Sequence, residues 1–287
     1  MKLTRFEATS GRFRLADHDP ADTNGVGNKA KAEQQLAESI GTMRELQERL
    51  YAQDRWSVLI VLQAMDAAGK DSTIKHVMSG LNPQGCEVYS FKAPSDEELD
   101  HDFLWRTTLA LPERGRIGVF NRSYYEEVLV VRVHPEILQK QRLPPKLIGK
   151  DIWQERFDDI RAFEKHMARN GTVVLKFFLY VSKEEQKSRF LARIAEEEKN
   201  WKFSAGDVKE RGFWDDYMKA YEETIRATAT DESPWYVVPA DHKWFTRTVV
   251  AAAIIDALAS RDLHYPKVTA AQRAALAEAR KALNQER

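Results

Sequence analysis

Residues 56–62, with the sequence WSVLIVL, constrain the fold more than any other part of the chain. A short, β-branched run that is apolar on both faces is typical of a parallel strand buried within a sheet. The run leads into residues 63–73, a loop of mostly small side chains with a Gly-Lys dipeptide before a predicted helix. A buried strand, a small-residue loop and a helix in this order are the setting of a phosphate-binding loop.

Strands and helices alternate along most of the remaining sequence. Periodicity and turn residues predict further strands over residues 87–92, 117–120, 172–181 and 235–239. Helices are predicted over residues 29–51, from 70 onward, and over 96–111, 151–169, 183–198 and 244–262. Such alternation predicts an α/β protein with one open parallel sheet that helices cover on both faces.

The sequence contains no internal repeat and no linker that would divide the main part of the chain. Residues 1–28 carry turn residues without periodicity, and they are predicted to form an irregular N-terminal arm. Residues 29–265 are predicted to form the main domain, with residues 183–215 as a candidate lid. Residues 266–287 are rich in Ala and Arg, and they predict a separate C-terminal helix.

The loop over residues 63–73 has the properties that phosphate binding requires. Its small side chains let backbone N–H groups approach an anion, and the N-terminus of the following helix points at that anion. Lys70 is long enough to reach the terminal phosphates of a bound chain. The alternative is an ordinary strand–turn–helix that happens to contain a Gly-Lys dipeptide.

The loop departs from the Walker A pattern at three positions. Ala64 stands where the first glycine is expected, and Asp71 stands where a metal-binding hydroxyl is expected. Asp66 would repel phosphate unless it holds a metal ion that bridges to the phosphate oxygens. The candidate phosphate-binding residues of the loop and first helix are Ala67, Ala68, Gly69, Lys70, Asp71, Ser72, Thr73 and Lys75.

A second group of polar residues follows the strand predicted over residues 117–120. The carboxyl ends of parallel strands meet at one edge of the sheet, so Arg122 and, from the preceding strand, Lys92 should face the phosphate loop. Arginine suits the planar, bidentate recognition of phosphate oxygens. Asn121, Tyr125 and Glu126 are the candidate nucleotide ligands. The alternative for Glu126 and its neighbour Glu127 is that they complement a helix dipole.

The candidate lid carries Arg189 and Arg193 one helical turn apart. A basic segment that closes over phosphates would exclude water and neutralise developing charge. Basic and acidic residues are almost equally numerous over 183–211, so a solvated helix with paired charges is the alternative. Phosphate binding requires the basic side chains to lie on the inner face of this segment.

Composition limits the classes of partner. Lys and Arg total 44, as do Asp and Glu, so the net charge of +0 excludes a uniformly basic surface for nucleic acid or anionic membrane. The single cysteine excludes an internal disulfide framework, and no apolar run approaches the roughly 20 residues of a membrane span. We expect a cytoplasmic protein with a local basic channel. The channel should contain Lys70, Lys75, Lys92, Arg122, Arg189 and Arg193.

Together these residues predict phosphoryl transfer. The sequence shows no serine paired with a base and no nicotinamide fingerprint. A kinase that acts on a hydroxyl usually needs a base, whereas an acceptor phosphate already carries an ionised oxygen. Lysines, arginines and a carboxylate-bound metal would therefore suffice through positioning and charge stabilisation.

Several motifs resemble those of the polyphosphate kinase 2 family, in the family's order and over roughly residues 30–265. They are MDAAGKDST at 65–73, FKAP at 91–94, FNRSYYEEV at 120–128, NWKFS at 200–204, PW at 234–235 and ADHK at 240–243. The resemblance implies a three-layer P-loop kinase-like fold with a central, mostly parallel five-stranded sheet and a helical lid. It also implies transfer of a phosphoryl group between inorganic polyphosphate and nucleotides.

The motifs are most similar to the class that phosphorylates both AMP and ADP, yielding ATP. The resemblance makes Asp66, Lys70 and Arg122 the catalytic residues, with Asp66 binding Mg²⁺, for which Mn²⁺ could substitute. It places the lid arginines at Arg189 and Arg193, and Glu126 is our candidate for nucleotide preference. Apolar surface on the helix predicted over residues 29–51 predicts a homodimer or homotetramer.

Two alternatives stay open. The protein could be a nucleoside-monophosphate kinase that uses ATP as its donor, which an assay with ATP in place of polyphosphate would detect. It could also be a module that binds nucleotides without turnover, which predicts thermal stabilisation by nucleotide but no transfer. A basic lid and the loop carboxylate Asp66 argue against the second alternative, since nucleotide sensing needs neither.

Overall fold

The computed structural model describes residues 1–8 and 11–286. Thr9 and Ser10, within the predicted N-terminal arm, and Arg287, at the end of the predicted C-terminal helix, lie outside the described residues. The sheet has six strands in the order β1-β6-β5-β2-β4-β3. The strands are β1 (Glu7–Ala8), β2 (Ser57–Gln63), β3 (Cys86–Ser90), β4 (Ile117–Asn121), β5 (Thr172–Tyr180) and β6 (Trp235–Pro239).

The five strands from β2 to β6 are parallel to one another and lie where the sequence predicts strands. The predicted number of five is wrong because β1 adds a sixth strand from the arm that was expected to be irregular. This strand is antiparallel to β6 and pairs Glu7 with Tyr236 and Ala8 with Trp235. Two residues are too few to show the period-2 pattern from which a strand is predicted.

Helices pack on the sheet in two layers. In the first, α1 packs along α11 and α11 contacts α2, β5 and β6; in the second, α5, α7 and α10 contact one another, and α7 contacts β5. The helices are α1 (Lys29–Gln53), α2 (Lys70–Val77), α3 (Asp96–Leu99), α4 (Trp105–Thr108), α5 (Glu126–Val133), α6 (Glu136–Lys140), α7 (Ile152–Arg169), α8 (Lys183–Ala195), α9 (Ala205–Glu210), α10 (Trp214–Thr228), α11 (Lys243–Ala259) and α12 (Ala270–Leu283).

The single helix predicted over residues 96–111 is wrong, because the segment forms the two short helices α3 and α4. Ser95 and Glu98 form the predicted capping box at the start of α3. The carboxylate of Asp102 then accepts a hydrogen bond of 2.9 Å from the N–H of Leu104, so the chain turns and begins a new helix there. Asp at such a position competes with continuous helical hydrogen bonding.

The parallel register brings the chemistry-bearing loops together. All seven residues of β2 are buried, and the strand lies between β4 and β5. Leu62 pairs with Asn121, and Gln63 pairs with Phe178, so these strands end at the same edge of the sheet. The phosphate loop after β2 is therefore flanked by the β4 loop on one side and by α8 on the other. Among the described residues, no helix combines the length and apolarity needed to cross a bilayer.

Candidate active site

A cleft of about 690 Å³ opens at the carboxyl ends of the strands. Its base is the phosphate loop, one wall comes from the ends of β3 and β4, and the other comes from α8, residues 199–207 and the start of α11. Its location agrees with the rule that open α/β sheets bind ligands beyond the carboxyl ends of their strands. The lining residues discussed below include five basic side chains predicted from the sequence. They are Lys70, Lys92, Arg122, Arg189 and Arg193.

The phosphate loop has the backbone shape of an anion cradle. Gly69 has φ +114° and Ala67 has φ +61°, both in the left-handed region. Holding a residue with a Cβ in that region costs about 1–2 kcal/mol, so the surrounding contacts must stabilise the loop at Ala67. Helix α2 begins directly after Gly69, and its first N–H groups have no acceptor within the helix. These donors and the positive end of the helix dipole suit a phosphate group.

Side chains from α8 donate hydrogen bonds to the carbonyl groups of the loop. Gln186 donates to the carbonyl of Asp66 at 2.9 Å, and Arg189 donates to those of Ala67 and Ala68 at 3.0 and 2.7 Å. Arg189 also donates to the carbonyl of Ala240 at 2.6 Å. Because its guanidinium is bound to these backbone carbonyls and to the carboxylate of Glu185, Arg189 supports the loop from the α8 wall of the cleft.

A chain of polar contacts connects the phosphate loop to residues 120–128, which we call the second motif. Arg122 donates to the carboxylate of Asp66 at 3.0 Å and lies 3.5 Å from that of Glu126. The side-chain amide of Gln63, which is buried, donates to the other oxygen of Glu126 at 2.8 Å. Arg122 has φ +64°, so a second strained turn faces the one at Ala67. Glu126 thus supports Arg122 from behind and is not among the cleft-lining residues.

Asn121 occupies the position next to Arg122 at the end of β4. Its side-chain amide donates to the carboxylate of Asp71 at 2.7 Å and lies 3.4 Å from the hydroxyl of Ser90. Asp71 is in the first turn of α2, where a carboxylate complements the helix dipole. Asn121 therefore joins the second motif to the start of α2.

The lid covers the cleft from the β5 side. Arg193, on α8, contacts Asp207 of α9 at 3.4 Å. Asn200 donates to the carbonyls of Arg193 and Ile194 at 2.8 and 2.9 Å, which ends α8 and turns the chain over the cleft. Trp201, which lines the cleft, is 79% exposed.

Electrostatics differ between the two central cations. Burial is the main factor that lowers the pKa of Lys70, and the charge of Arg122 lowers it further, against the opposing effect of Asp66. Its ammonium donates to the carbonyl of Ala64 at 2.6 Å. Burial would also lower the pKa of Arg122, but Glu126 and Asp66 together raise it. Arg122 is therefore a permanent positive charge at the loop.

Most of the predicted site residues come together in this cleft. The predicted residues that line it are Asp66, Ala67, Gly69, Lys70, Asp71, Ser72, Lys92, Asn121, Arg122, Arg189 and Arg193. Five others do not line it. Ala68 is buried in the phosphate loop, Thr73 is buried in the first turn of α2 and Lys75 is exposed one turn along it. Glu126 lies behind Arg122, and Tyr125 is in the core.

Tyr125 belongs to a buried polar network beneath the second motif. Its hydroxyl and that of Tyr124 each donate to one carboxylate oxygen of Glu164 at 2.8 Å. Lys176, from β5, donates to the other oxygen at 2.6 Å and to the carbonyl of Thr228 at 2.7 Å. The predicted contact of Tyr125 with nucleotide has no support in this geometry, because its side chain supports the turn from inside the core.

Sequence reasoning assigned no role to several lining residues. Lys243 and Asp207 were not candidates, although Lys243 belongs to the ADHK motif. The lid carboxylate Asp207 and the loop carboxylate Asp66 line the same cleft, and burial together with the charge of Asp66 raises the pKa of Asp207. The position of Lys243 directly after β6, at the ligand edge of the sheet, is the signal that could have identified it.

The oxygen donors fit a divalent cation. Asp66, Asp71 and Ser72 line the cleft together, and one carboxylate or two suffice where substrate phosphates and water complete the coordination. No group of three or more His, Cys, Asp and Glu suited to a metal occurs within residues 1–8 and 11–286. The site therefore suits a hard cation that is shared with a phosphate ligand.

Comparison with known proteins agrees with this geometry. Residues 27–266 match the family described as polyphosphate kinase 2 (PPK2). The chain is 56% identical to the ADP-polyphosphate phosphotransferase of Rhodopseudomonas palustris, over 86% of each chain. It is 44% identical to the AMP/ADP-polyphosphate phosphotransferase of Meiothermus ruber, over 90% of this chain and 92% of that one.

The fold agrees as well. The crystal structure of polyphosphate kinase 2 from Arthrobacter aurescens superposes with a TM-score of 0.87 at 41% identity. That match covers 96% of this chain and 95% of the other. The phosphate loop, the second motif and the lid all lie within the matched residues 27–266. The chain therefore belongs to the polyphosphate kinase 2 family.

Proposed function

We propose that the protein transfers a phosphoryl group from inorganic polyphosphate to AMP and to ADP, with Mg²⁺ as the metal and ATP as the final product. The observation that carries the proposal is the convergence of Lys70 and Arg122 on a phosphate loop whose carboxylate, Asp66, is itself held by Arg122. The names of the relatives from R. palustris and M. ruber support polyphosphate and adenine nucleotides as substrates.

The reaction needs no general base. An oxygen of the acceptor's terminal phosphate, already ionised, bonds to the terminal phosphorus of polyphosphate, and the bond to the bridging oxygen breaks. The shortened polyphosphate leaves with that bridging oxygen and its electron pair.

The side chains of the site stabilise this transfer by position and charge. The N–H groups of the loop and of the start of α2 bind phosphate oxygens, and Lys70 neutralises charge beside them. Arg122 offers a planar guanidinium to the transferred group, while Glu126 fixes its orientation. When bound at Asp66, Mg²⁺ supplies further positive charge to the phosphate oxygens. Closure of the lid excludes water, which would otherwise accept the phosphoryl group.

A donor exchange tests the proposal. Purified protein with AMP and Mg²⁺ is given either polyphosphate or ATP, and the formation of ADP is followed over time. We expect ADP, and then ATP, with polyphosphate as the donor. Transfer from ATP alone would indicate a nucleoside-monophosphate kinase, and nucleotide binding without transfer would indicate a non-catalytic module.

Other expectations also belong to the proposal. The protein is expected to form a homodimer or homotetramer, which sedimentation analysis would detect. It is expected to be cytoplasmic and to act without nucleic acid or membrane partners. Mn²⁺ is expected to replace Mg²⁺ because both cations prefer oxygen ligands.

A further inference from the structure

Arg211 lies near the end of the lid, directly after α9. Residues 211–213 form a single 3₁₀ turn that connects α9 to α10. The Nη1 of Arg211 donates to the carbonyl of Lys183 at 2.7 Å and to the side-chain oxygen of Gln186 at 2.8 Å. Both acceptors belong to the first residues of α8. Arg211 therefore joins the end of the lid to the start of α8.

The side-chain amide of Gln186 continues this contact to the phosphate loop. Gln186 is buried, and its Nε2 donates to the carbonyl of Asp66 at 2.9 Å. A guanidinium has N–H donors and no acceptor, so the amide oxygen of Gln186 must face Arg211. The amide NH₂ group then faces the carbonyl of Asp66. Arg211 thereby determines which end of the amide meets the loop.

The bond from Gln186 fixes the peptide group between Asp66 and Ala67. In a trans peptide the C=O and N–H bonds point in opposite directions, so a fixed carbonyl also fixes the N–H of Ala67. Ala67 has φ +61°, a conformation that the surrounding contacts must hold. Within residues 1–8 and 11–286, no backbone carbonyl outside the helices and strands accepts this N–H. The N–H of Ala67 therefore has a set direction and suits a phosphate oxygen.

A neighbouring contact anchors the same point of the lid from the other side. Glu210, the last residue of α9, accepts a hydrogen bond of 2.7 Å from the hydroxyl of Tyr217 on α10. Its carboxylate also lies 2.9 Å from the Nε2 of His134, which follows α5. Glu210 and Arg211 together tie the end of α9 to α5, α8 and α10. Because α9 carries the cleft-lining Asp207, the placement of the lid and the shape of the loop depend on adjoining contacts.

We propose that Arg211 is a positioning residue for phosphoryl transfer, which acts through Gln186 to direct the N–H of Ala67 at a phosphate oxygen. The inference rests on the proposed function, and it gives Arg211 and Gln186 a part in the reaction although neither lines the cleft. Without Arg211, the amide of Gln186 is free to rotate and to present its oxygen to the carbonyl of Asp66. Two acceptors repel each other, so the peptide group would lose its fixed direction.

The experiment removes each contact in turn and then both together. For Arg211→Met and for Gln186→Met, we expect the kcat for transfer from polyphosphate to ADP to fall about tenfold, because a misdirected N–H stabilises the developing charge less well. The double variant should lose no more than Gln186→Met alone, since Arg211 acts through Gln186. Two independent losses would instead multiply to about a hundredfold.

A conservative variant and a matched control separate positioning from a structural effect. Arg211→Lys keeps an N–H donor toward Gln186, so its kcat should return to within about threefold of the wild type. Arg226, also partly buried, donates to the carbonyl of Phe13 at 3.0 Å and contacts Glu222. Arg226→Met should lower the thermal midpoint about as much as Arg211→Met does, yet leave the kcat within about twofold of the wild type.

Equilibrium binding gives a readout that needs no turnover. Titration calorimetry measures the Kd of inorganic triphosphate without nucleotide. We expect the Kd to rise about three- to tenfold in Arg211→Met, in Gln186→Met and, equally, in the double variant, because one hydrogen bond to a charged oxygen is weakened. Arg226→Met should bind triphosphate as the wild type does.

Three kinetic results would overturn the positioning role. These are losses that multiply in the double variant, a kcat for Arg211→Met equal to that of Arg226→Met, or no recovery in Arg211→Lys. If the wild type binds triphosphate but transfers nothing to ADP, the proposed function fails instead, and the binding series alone decides the role of Arg211. Equal rises in Kd for the single and double variants then support it, whereas unchanged Kd values, or a wild type that binds no triphosphate, overturn it.

Discussion

The base of the cleft and its cover are held in different ways. We call residues 64–73 the loop base and residues 196–210 the lid cover. Arg189 and Arg193 lie one turn apart on α8, yet Arg189 is 8% exposed and bound to carbonyls of the loop base. Arg193 instead reaches Asp207 in the lid cover, where the side chain of Trp201 is largely exposed.

We expect this difference to divide two roles, with the loop base positioning the substrate phosphates and the lid cover closing the cleft. The loop base holds strained backbone at Ala67, and hydrogen bonds from α8 stabilise it, so its N–H groups have fixed positions. The lid cover has short helices, few buried residues and exposed apolar side chains. Segments of this kind open and close with small changes in free energy. Substitutions in the loop base should therefore lower kcat strongly, and those in the lid cover should lower it only weakly.

The largest effect is expected from Lys70→Met. The substitution removes the cation closest to the loop carbonyls, so kcat should fall by about 10³-fold or more. The thermal midpoint should stay the same or rise, since a buried charge is replaced by an apolar side chain. Steady-state kinetics and thermal unfolding measure the two effects. A variant that keeps a tenth of the wild-type kcat would show that the loop base does not supply the central charge.

The second prediction compares Arg189→Met with Arg193→Met. The first leaves carbonyls of the loop base without donors, so the free energy of unfolding should fall by about 3 kcal/mol and kcat by about 10²-fold. The second removes a partly exposed ion pair, which should cost less than about 1 kcal/mol and a few-fold in kcat. Chemical denaturation and kinetics on both variants test the comparison. Equal losses would contradict the distinction between base and cover.

A smaller effect is expected for Asp66→Asn. Loss of the carboxylate charge should raise the Mg²⁺ concentration for half-maximal activity about tenfold or more, because the amide is a weaker ligand. Activity is measured over a Mg²⁺ series, with Asp207→Asn in the lid cover as the matched control. The hypothesis that Asp66 holds the metal fails if both variants require the same Mg²⁺ concentration as the wild type.

The smallest effect is expected for Trp201→Ala. The indole is mostly exposed, so the free energy of unfolding should change by less than about 0.5 kcal/mol. Slightly looser closure should raise hydrolysis of polyphosphate by water relative to transfer to ADP by about two- to threefold. Parallel measurement of released phosphate and of ATP gives this ratio. A large loss of stability would show that the lid cover is packed as tightly as the loop base.

The sequence predicts the parallel sheet and the phosphate loop well because both depend on local patterns. The buried run in β2 and the capping signal at Ser95 are each contained within a few adjacent residues. The strand β1 could not be predicted, since two residues carry no period and its pairing with β6 spans most of the chain. The break between α3 and α4 depends on one side-chain contact of Asp102.

Site residues were harder to predict where function depends on which way a side chain points. Tyr125 and Glu126 follow Arg122 directly, yet the turn sends Tyr125 into the core and Glu126 behind the guanidinium. The role of Arg189 as a support for the loop depends on contacts with residues about 120 positions away. The contact between Arg247 and Ser72 is likewise distant in sequence and has no local pattern.

The most direct test of the proposed transfer follows the phosphorus atom itself. The protein is incubated with ³²P-labelled polyphosphate, unlabelled ADP and Mg²⁺, and the products are separated. We predict that the label appears in the γ-phosphate of ATP and that Lys70→Met abolishes this transfer. Label found only in polyphosphate and free phosphate, with unlabelled ATP or none, would contradict the proposed function.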